Sequence, residues 1–299
     1  MASSLLQPDV LTRAEALGLA ARQVVEGLRV GEHKSPYRGF SVEFVQHREY
    51  VPGDDTRYID WKSYGRTERY TIKQYEQETN FTGHLLVDAS NSMRYGDGAE
   101  NKLAYAKLLT ASLAYLIVRQ RDSFALRIFD HHFRTILPAS SQMGHLQTLC
   151  RELESLQPAE KSGMGRLLEE FADQNSRRGL VFLISDCFDD LEPLLKGLRH
   201  IRFRGHEVIL FHILHRDEVE FPLDGNIRFI DLEGSEELLT RPRLLKPAYQ
   251  RAVNAWLKEL ERGCEGSRIE YFRMQTDRPL SIALGAYLVR RLQLTGKIN

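Results

Sequence analysis

Asp88, Ser90 and Ser92 stand on alternate positions in HLLVDASNSM, residues 84–93. One carboxylate and two hydroxyls are hard oxygen donors, which suit Mg²⁺, Mn²⁺ or Ca²⁺ better than zinc. The same types also suit a phosphate site or an ordinary polar loop. The apolar run Leu85, Leu86, Val87 reads as a buried strand, so Asp88 falls at its carboxyl end. A second strong run, GLVFLISD, finishes on Asp186, with Asp189 and Asp190 close behind. Ligands of an open parallel sheet bind beyond the carboxyl ends of its strands. Two strands that end in Asp therefore put two carboxylates on one rim. An extended loop would keep Asp88, Ser90 and Ser92 on one side. The helix that begins near Ala99 would turn its free N–H groups towards an anion nearby.

Those residues need a scaffold, and the chain after residue 80 has the pattern of one. Strands are expected at 83–90, 122–130, 133–138, 178–186, 207–214, 227–233 and 268–274, most of them apolar runs. Helices are expected at 99–120, 141–156, 165–174, 189–203, 245–263 and 280–292. Apolar strands that alternate with amphipathic helices imply a doubly wound, mainly parallel α/β sheet covered on both faces. His131 and His132 fall between two strands and read as a hairpin-like turn. Upstream, residues 9–26 have helical spacing of apolar positions. Residues 40–51 and 69–78 are β-branched and aromatic, with a turn signal at 51–55 between them. The composition divides the chain at about residue 80: a helix and β-ribbon segment over 1–80, and the α/β domain over 81–299.

Composition excludes several classes. The chain has 299 residues, 42% hydrophobic and 27% charged, with a formal net charge of zero. That supports a packed core and gives no general attraction to nucleic acid or an anionic membrane. Cys150, Cys187 and Cys264 match no zinc spacing and no disulfide framework. No zinc is expected, and a reducing compartment fits the cysteines. The N-terminus lacks the pattern of a signal peptide, and the most apolar run, 108–118, is too short to span a bilayer. A soluble cytoplasmic protein is expected. Gly27, Gly31 and Gly39 form no nucleotide-binding pattern, so no nucleotide is expected. Cys187 reads as a small core thiol rather than a nucleophile.

The stretch 41–78 holds the densest set of functional side chains outside the sheet. Arg48, Arg57 and Arg66 are suited to bidentate pairing with Glu43, Asp55 or Asp60. Asp54 and Asp55 suit the backbone of the turn at Pro52-Gly53, and Trp61 offers a packing ring with an N–H. Two readings follow: a structural latch stapled by ion pairs, or a surface on which a partner docks.

Two resemblances join these observations. DASNS, residues 88–92, is similar to the D-x-S-x-S signature of the von Willebrand factor A domain. That implies a metal-ion-dependent adhesion site, with the metal held by Asp88, Ser90 and Ser92 and with Asp186 assisting. The family's threonine falls on Gly165, with Ser162 out of register, so the ligand set is partial. The order E-F, R-x-Y-x-P-G-D-D, I-D-W over 43–61 resembles the signature of the bacterial domain-of-unknown-function family fifty-eight, in which this block precedes a von Willebrand A-like domain. The resemblance implies cooperation with a MoxR-type AAA+ ATPase in assembling or maturing other proteins.

Three functions are therefore weighed. The first is a non-enzymatic protein-binding module whose Mg²⁺ or Mn²⁺ is completed by a partner's carboxylate. The second is a metal-dependent phosphoester hydrolase built on Asp88, Asp186 and Asp189 or Asp190. The third is a structural interaction protein with a vestigial site.

Overall fold

The computed structural model describes residues 41–50, 60–67, 69–78, 82–159, 163–225, 227–230, 237–240 and 242–295. The helix expected at 9–26 and the turn at 51–55 lie outside them. The described residues fall into two compact units, one within Glu32–Phe81 and one from Thr82 onward.

In the first unit β1 (Ser41–Glu49) pairs antiparallel with β2 (Thr71–Glu78), with a bulge between Phe44 and Gln46. Between them lies a short helix that the sequence reading lacked, α1 (Trp61–Thr67). Asp60 starts it: its Oδ1 accepts the Ser63 N–H at 3.1 Å, and its carbonyl accepts the Tyr64 N–H at 2.9 Å. An aspartate in this place satisfies N–H groups that the first turn leaves without helical partners.

The second unit holds a six-stranded sheet in the order β10-β7-β6-β3-β4-β5. Its strands are β3 (Thr82–Asp88), β4 (Ser123–Phe129), β5 (Phe133–Ser140), β6 (Leu180–Ser185), β7 (Glu207–Leu214) and β10 (Glu270–Gln275). All neighbours are parallel except β4 and β5, which form an antiparallel hairpin through His131 and His132. The chain runs from β3 to β4 and β5 on one side, then returns through β6 to β7 and β10 on the other. The strand order therefore reverses beside β3, where a doubly wound sheet opens its crevice. This is the doubly wound, mainly parallel α/β fold expected.

Helices cover both faces. α2 (Lys102–Arg119), α3 (Met143–Ser155), α4 (Met164–Gln174), α5 (Leu191–Phe203), α7 (Pro242–Gly266) and α8 (Leu280–Thr295) are the long ones, and α6 (Arg216–Glu220) is a single turn. One core joins Leu86, Val181, Leu183, Val208 and Leu210 of the sheet to Leu167 and Phe171 of α4, Leu194 and Leu198 of α5, and Leu260 of α7. Each such side chain is fully or almost fully buried, worth about 1.5–3 kcal/mol relative to exposure. α2 starts three residues later than expected because Asn101 caps it, accepting the Ala104 N–H at 3.0 Å. The segment expected as a strand over 227–233 is β8 (Ile227–Ile230), which pairs with β9 (Glu237–Thr240) in a separate hairpin and not with the main sheet. Among the described residues, no helix is long and apolar enough to cross a membrane.

Candidate functional site

Asp88 ends β3 beside the reversal of strand order, and Asp186 follows β6, the parallel neighbour of β3. The rim expected from the two apolar runs therefore exists. Both carboxylates are buried, as are Ser90 and Ser92. The loop is not extended, however. After Ser90 the chain enters a 3₁₀ turn over Asn91–Arg94, and this turn brings the Ser90 and Ser92 Oγ atoms to 3.0 Å of each other. Adjacent ligands of an octahedral cation with bonds of about 2.1 Å lie about 3.0 Å apart. The two hydroxyls are hydrogen-bonded to each other, and their spacing also matches one edge of a hard-cation shell.

Asp88 is held from behind. Its Oδ1 accepts the Ser90 N–H at 2.9 Å, and its Oδ2 accepts the Ser185 hydroxyl at 2.6 Å. Burial, then the charge of Asp186, raises its pKa to about 7, although hydrogen bonds from Ser185 and Ser90 pull the other way.

Asp186 has a cation already. The Lys102 Nζ donates to its Oδ2 at 2.6 Å and to the Glu218 Oε1 at 2.6 Å. Lys102 is only 1% exposed, and Asp186 2%. Burial alone would raise the Asp186 pKa, but the Lys102 ammonium outweighs it and holds the carboxyl below its ordinary range. Burial likewise opposes the charge on Lys102, yet Asp186 and Glu218 together hold its pKa above the ordinary value. Glu218 is itself placed by a capping box at the start of α6: its Oε2 accepts the His215 N–H at 2.7 Å, and His215 Nδ1 accepts the Asp217 N–H. A third tie comes from Tyr95, whose hydroxyl donates to Asp217 Oδ2 at 3.0 Å.

Behind Asp186 the backbone turns sharply. Cys187 has a φ of +54°, a conformation uncommon for a residue with a side chain. It lets the Phe188 N–H reach Asp186 Oδ1 at 3.1 Å while the Cys187 N–H reaches Ser185 Oγ at 2.8 Å. The Cys187 thiol is fully buried, and burial pushes its pKa up, as befits a core thiol. Phe188, by contrast, is 67% exposed on the rim.

The position matched to the family's threonine cannot supply a ligand. Gly165 lies in the first turn of α4, pressed against α5: a Cβ there would lie 2.6 Å from Pro193 Cβ and 2.7 Å from its carbonyl carbon. It is a helix-packing glycine. Gly165→Thr is expected to cost at least about 1–3 kcal/mol in urea unfolding through over-packing, with no gain in Mg²⁺ affinity. A stable variant with tighter Mg²⁺ binding would return residue 165 to the ligand set. Ser162 lies outside the described residues.

The remaining sequence-selected residues are dispersed. Asp189 caps α4, its Oδ2 accepting the Met164 N–H at 2.7 Å, and Asp190 is exposed. In the first unit Glu43 pairs with Glu76 and Arg48 with Ile72 across the ribbon. Asp60 is buried as the cap of α1, while Trp61, expected to pack, is 62% exposed with an edge-on contact to Tyr64. Arg66 is exposed, and Asp54, Asp55 and Arg57 lie outside the described residues. Sequence reasoning missed Lys102, Ser185 and Glu218. Lys102 carried a signal: a lysine in the first turn of a helix opposes the helix dipole and calls for a carboxylate partner.

The family model described as "Protein of unknown function DUF58" matches residues 46–258. Uncharacterized proteins of Mycobacterium bovis and Mycobacterium tuberculosis are each 26% identical over 276 residues, covering 91% of this chain and 86% of theirs. Among solved structures, the conserved hypothetical protein BatB from Bacteroides thetaiotaomicron is similar over 73% of this chain and 99% of its own, with 17% identity and a TM-score of 0.48. The SpRpn10 VWA domain is similar over 71% of this chain and 94% of its own, with 12% identity and a TM-score of 0.39.

Proposed function

We propose a function for this chain on the premise that it belongs to the DUF58 family: it is a non-enzymatic protein-binding module whose sheet rim holds a hard divalent cation, Mg²⁺ or Mn²⁺. Ser90 and Ser92 supply two oxygens, and Asp88 lies behind them as the charge that favours a cation. A carboxylate from a partner protein, with water, completes the shell. The observation that carries this reading is the pair of buried hydroxyls at 3.0 Å beside a carboxylate whose pKa is raised to about 7. Such a carboxylate is short of positive charge. Phe188 supports the docking part, because an exposed aromatic ring next to a charged site suits the centre of a protein interface. The partner we propose is a MoxR-type AAA+ ATPase, the association implied by the family resemblance, with a role in assembling or maturing other proteins.

The hydrolase reading has less support. Asp189 is engaged in capping α4, and Asp186 is neutralised by Lys102, so neither is a spare carboxylate for a second metal or a general base. The vestigial reading draws on Gly165, which leaves the ligand set short.

Calorimetric titration separates these readings. Mg²⁺ and Mn²⁺ are expected to give heat with the wild type and none with Asp88→Ala or Ser90→Ala. Capture of a MoxR-type ATPase is expected to fall at least tenfold in Asp88→Ala and in Phe188→Ala, and on adding EDTA to the wild type. Equal heats in wild type and variants would sink the cation-mediated reading. Turnover of a generic phosphate ester, lost in Asp186→Asn, would favour the hydrolase instead.

A further inference from the structure

We infer that the hairpin turn Asp130–His131–His132 is a second metal site, selective for a borderline transition-metal ion of the zinc class. It is independent of the cation site proposed above. Its donors form a compact triangle: Asp130 Oδ1 lies 3.1 Å from His131 Nδ1 and 3.2 Å from His132 Nδ1, and the two Nδ1 atoms are 3.4 Å apart. Zinc-class ions bind imidazole nitrogen and carboxylate oxygen at about 2.0–2.2 Å, which puts neighbouring ligands about 3.0–3.5 Å apart, between octahedral and tetrahedral geometry. All three edges fall in that range. By these distances one ion above the triangle comes within bonding reach of all three donors once the His131 ring, whose Nε2 also lies 3.1 Å from His132 Nδ1, turns its Nδ1 towards it.

The chemistry of the donors sets the ion. Two imidazoles and one carboxylate suit zinc, nickel, copper or cobalt, whereas Mg²⁺ prefers oxygen. This inference departs from the expectation of no zinc, which rested on the cysteine spacings and the oxygen donors of the D-x-S-x-S loop; neither takes part here. Both rings are open to solvent, at 46% and 56% exposure, while the Asp130 side chain is 2% exposed. The carboxylate is thus anchored in the protein, and the imidazoles leave the outer coordination positions to water or to a donor from a partner.

The turn is also braced. The His132 N–H donates to Asp130 Oδ1 at 3.2 Å. Arg166 donates to the His131 carbonyl at 3.0 Å, and Arg134 lies 3.6 Å from Asp130 Oδ2 while donating to the Gln157 carbonyl at 2.7 Å. A held backbone lowers the ordering cost of binding. Arg134 faces the Asp130 oxygen that the triangle does not use. The site shares a rim with Asp88, because β3 and β4 are parallel neighbours with Asp88 opposite Phe129.

Cobalt(II) is the direct probe, since its visible bands report imidazole and carboxylate ligation. Titration of the full chain at pH 7.5 is expected to give one ion per chain. Excess Zn²⁺ should displace it, and millimolar Mg²⁺ should not. The double variant His131→Gln/His132→Gln removes two exposed rings, so its melting temperature should match the wild type while its cobalt affinity falls at least tenfold. Asp88→Asn should leave cobalt binding unchanged, which separates this site from the D-x-S-x-S rim whatever the fate of that reading. Wild-type cobalt binding that persists at full strength in the double variant, or no ordered cobalt spectrum in the wild type, overturns the inference.

Discussion

Lys102→Met is expected to destabilise the protein by about 3–5 kcal/mol, the cost of breaking a buried ion pair by removing one partner. Lys102 is 1% exposed and lies 2.6 Å from both Asp186 and Glu218. Methionine fills much of the same volume but leaves Asp186, 2% exposed, without its cation. Glu218 loses less, because its side chain is 24% exposed and water reaches it. The loss should therefore depend on Asp186 above all. Adding Asp186→Asn to Lys102→Met removes the stranded charge and should recover a large part of the stability, whereas adding Glu218→Gln should recover little. Urea unfolding of the four chains in each cycle measures both coupling energies. A loss under about 1 kcal/mol for Lys102→Met, or equal recovery by the two second-site changes, would contradict the assigned roles.

This ion pair explains why part of the site was not legible in the sequence. Asp88 and Asp186 were, because each follows an apolar run, and buried parallel strands read as such runs. The strand at 207–214 has the expected bounds for the same reason. Lys102 meets Asp186 across 84 residues and Glu218 across 116, a distance that no local periodicity spans. Only its placement against the helix dipole hinted at a partner. The Ser90–Ser92 pair was read in the right place for the wrong local reason, since a 3₁₀ turn and not an extended loop brings the hydroxyls together. Gly165 was matched to a ligand position by counting along the chain. Its role comes from the crossing of α4 over α5, where a Cβ on Gly197 would also lie 2.8 Å from the Gly165 carbonyl oxygen, and a count cannot reveal a crossing. The short elements α1, α6 and β9 escaped because four to seven residues carry too little periodicity to register.

Asp88→Asn should flatten the dependence of stability on pH. In the folded chain burial and the charge of Asp186 raise the Asp88 pKa from 3.8 to about 7. Between those values the folded chain keeps a proton that the unfolded chain has lost. Stability from this group is therefore fully present below about pH 4 and is lost as pH rises through about 7. A gap of about three pH units corresponds to on the order of 4 kcal/mol. Asparagine has no proton to lose, so the stability difference, variant minus wild type, should grow by about that amount from pH 4 to pH 8 in EDTA. Groups that do not interact with Asp88 titrate alike in both chains and cancel, and Asp186, held ionised by Lys102, changes little over this range. Urea unfolding at several pH values reads the difference, and parallel curves would refute a raised Asp88. The same measurement tests the cation. At pH 8 the wild-type carboxylate is ionised, and Mg²⁺ at a hundred times its Kd should restore about 2.7 kcal/mol. The asparagine variant should gain nothing, because the charge that draws the ion to Ser90 and Ser92 is gone. If Mg²⁺ stabilises neither chain while the pH difference stands, Asp88 is a buried core carboxylate and the cation-mediated reading fails.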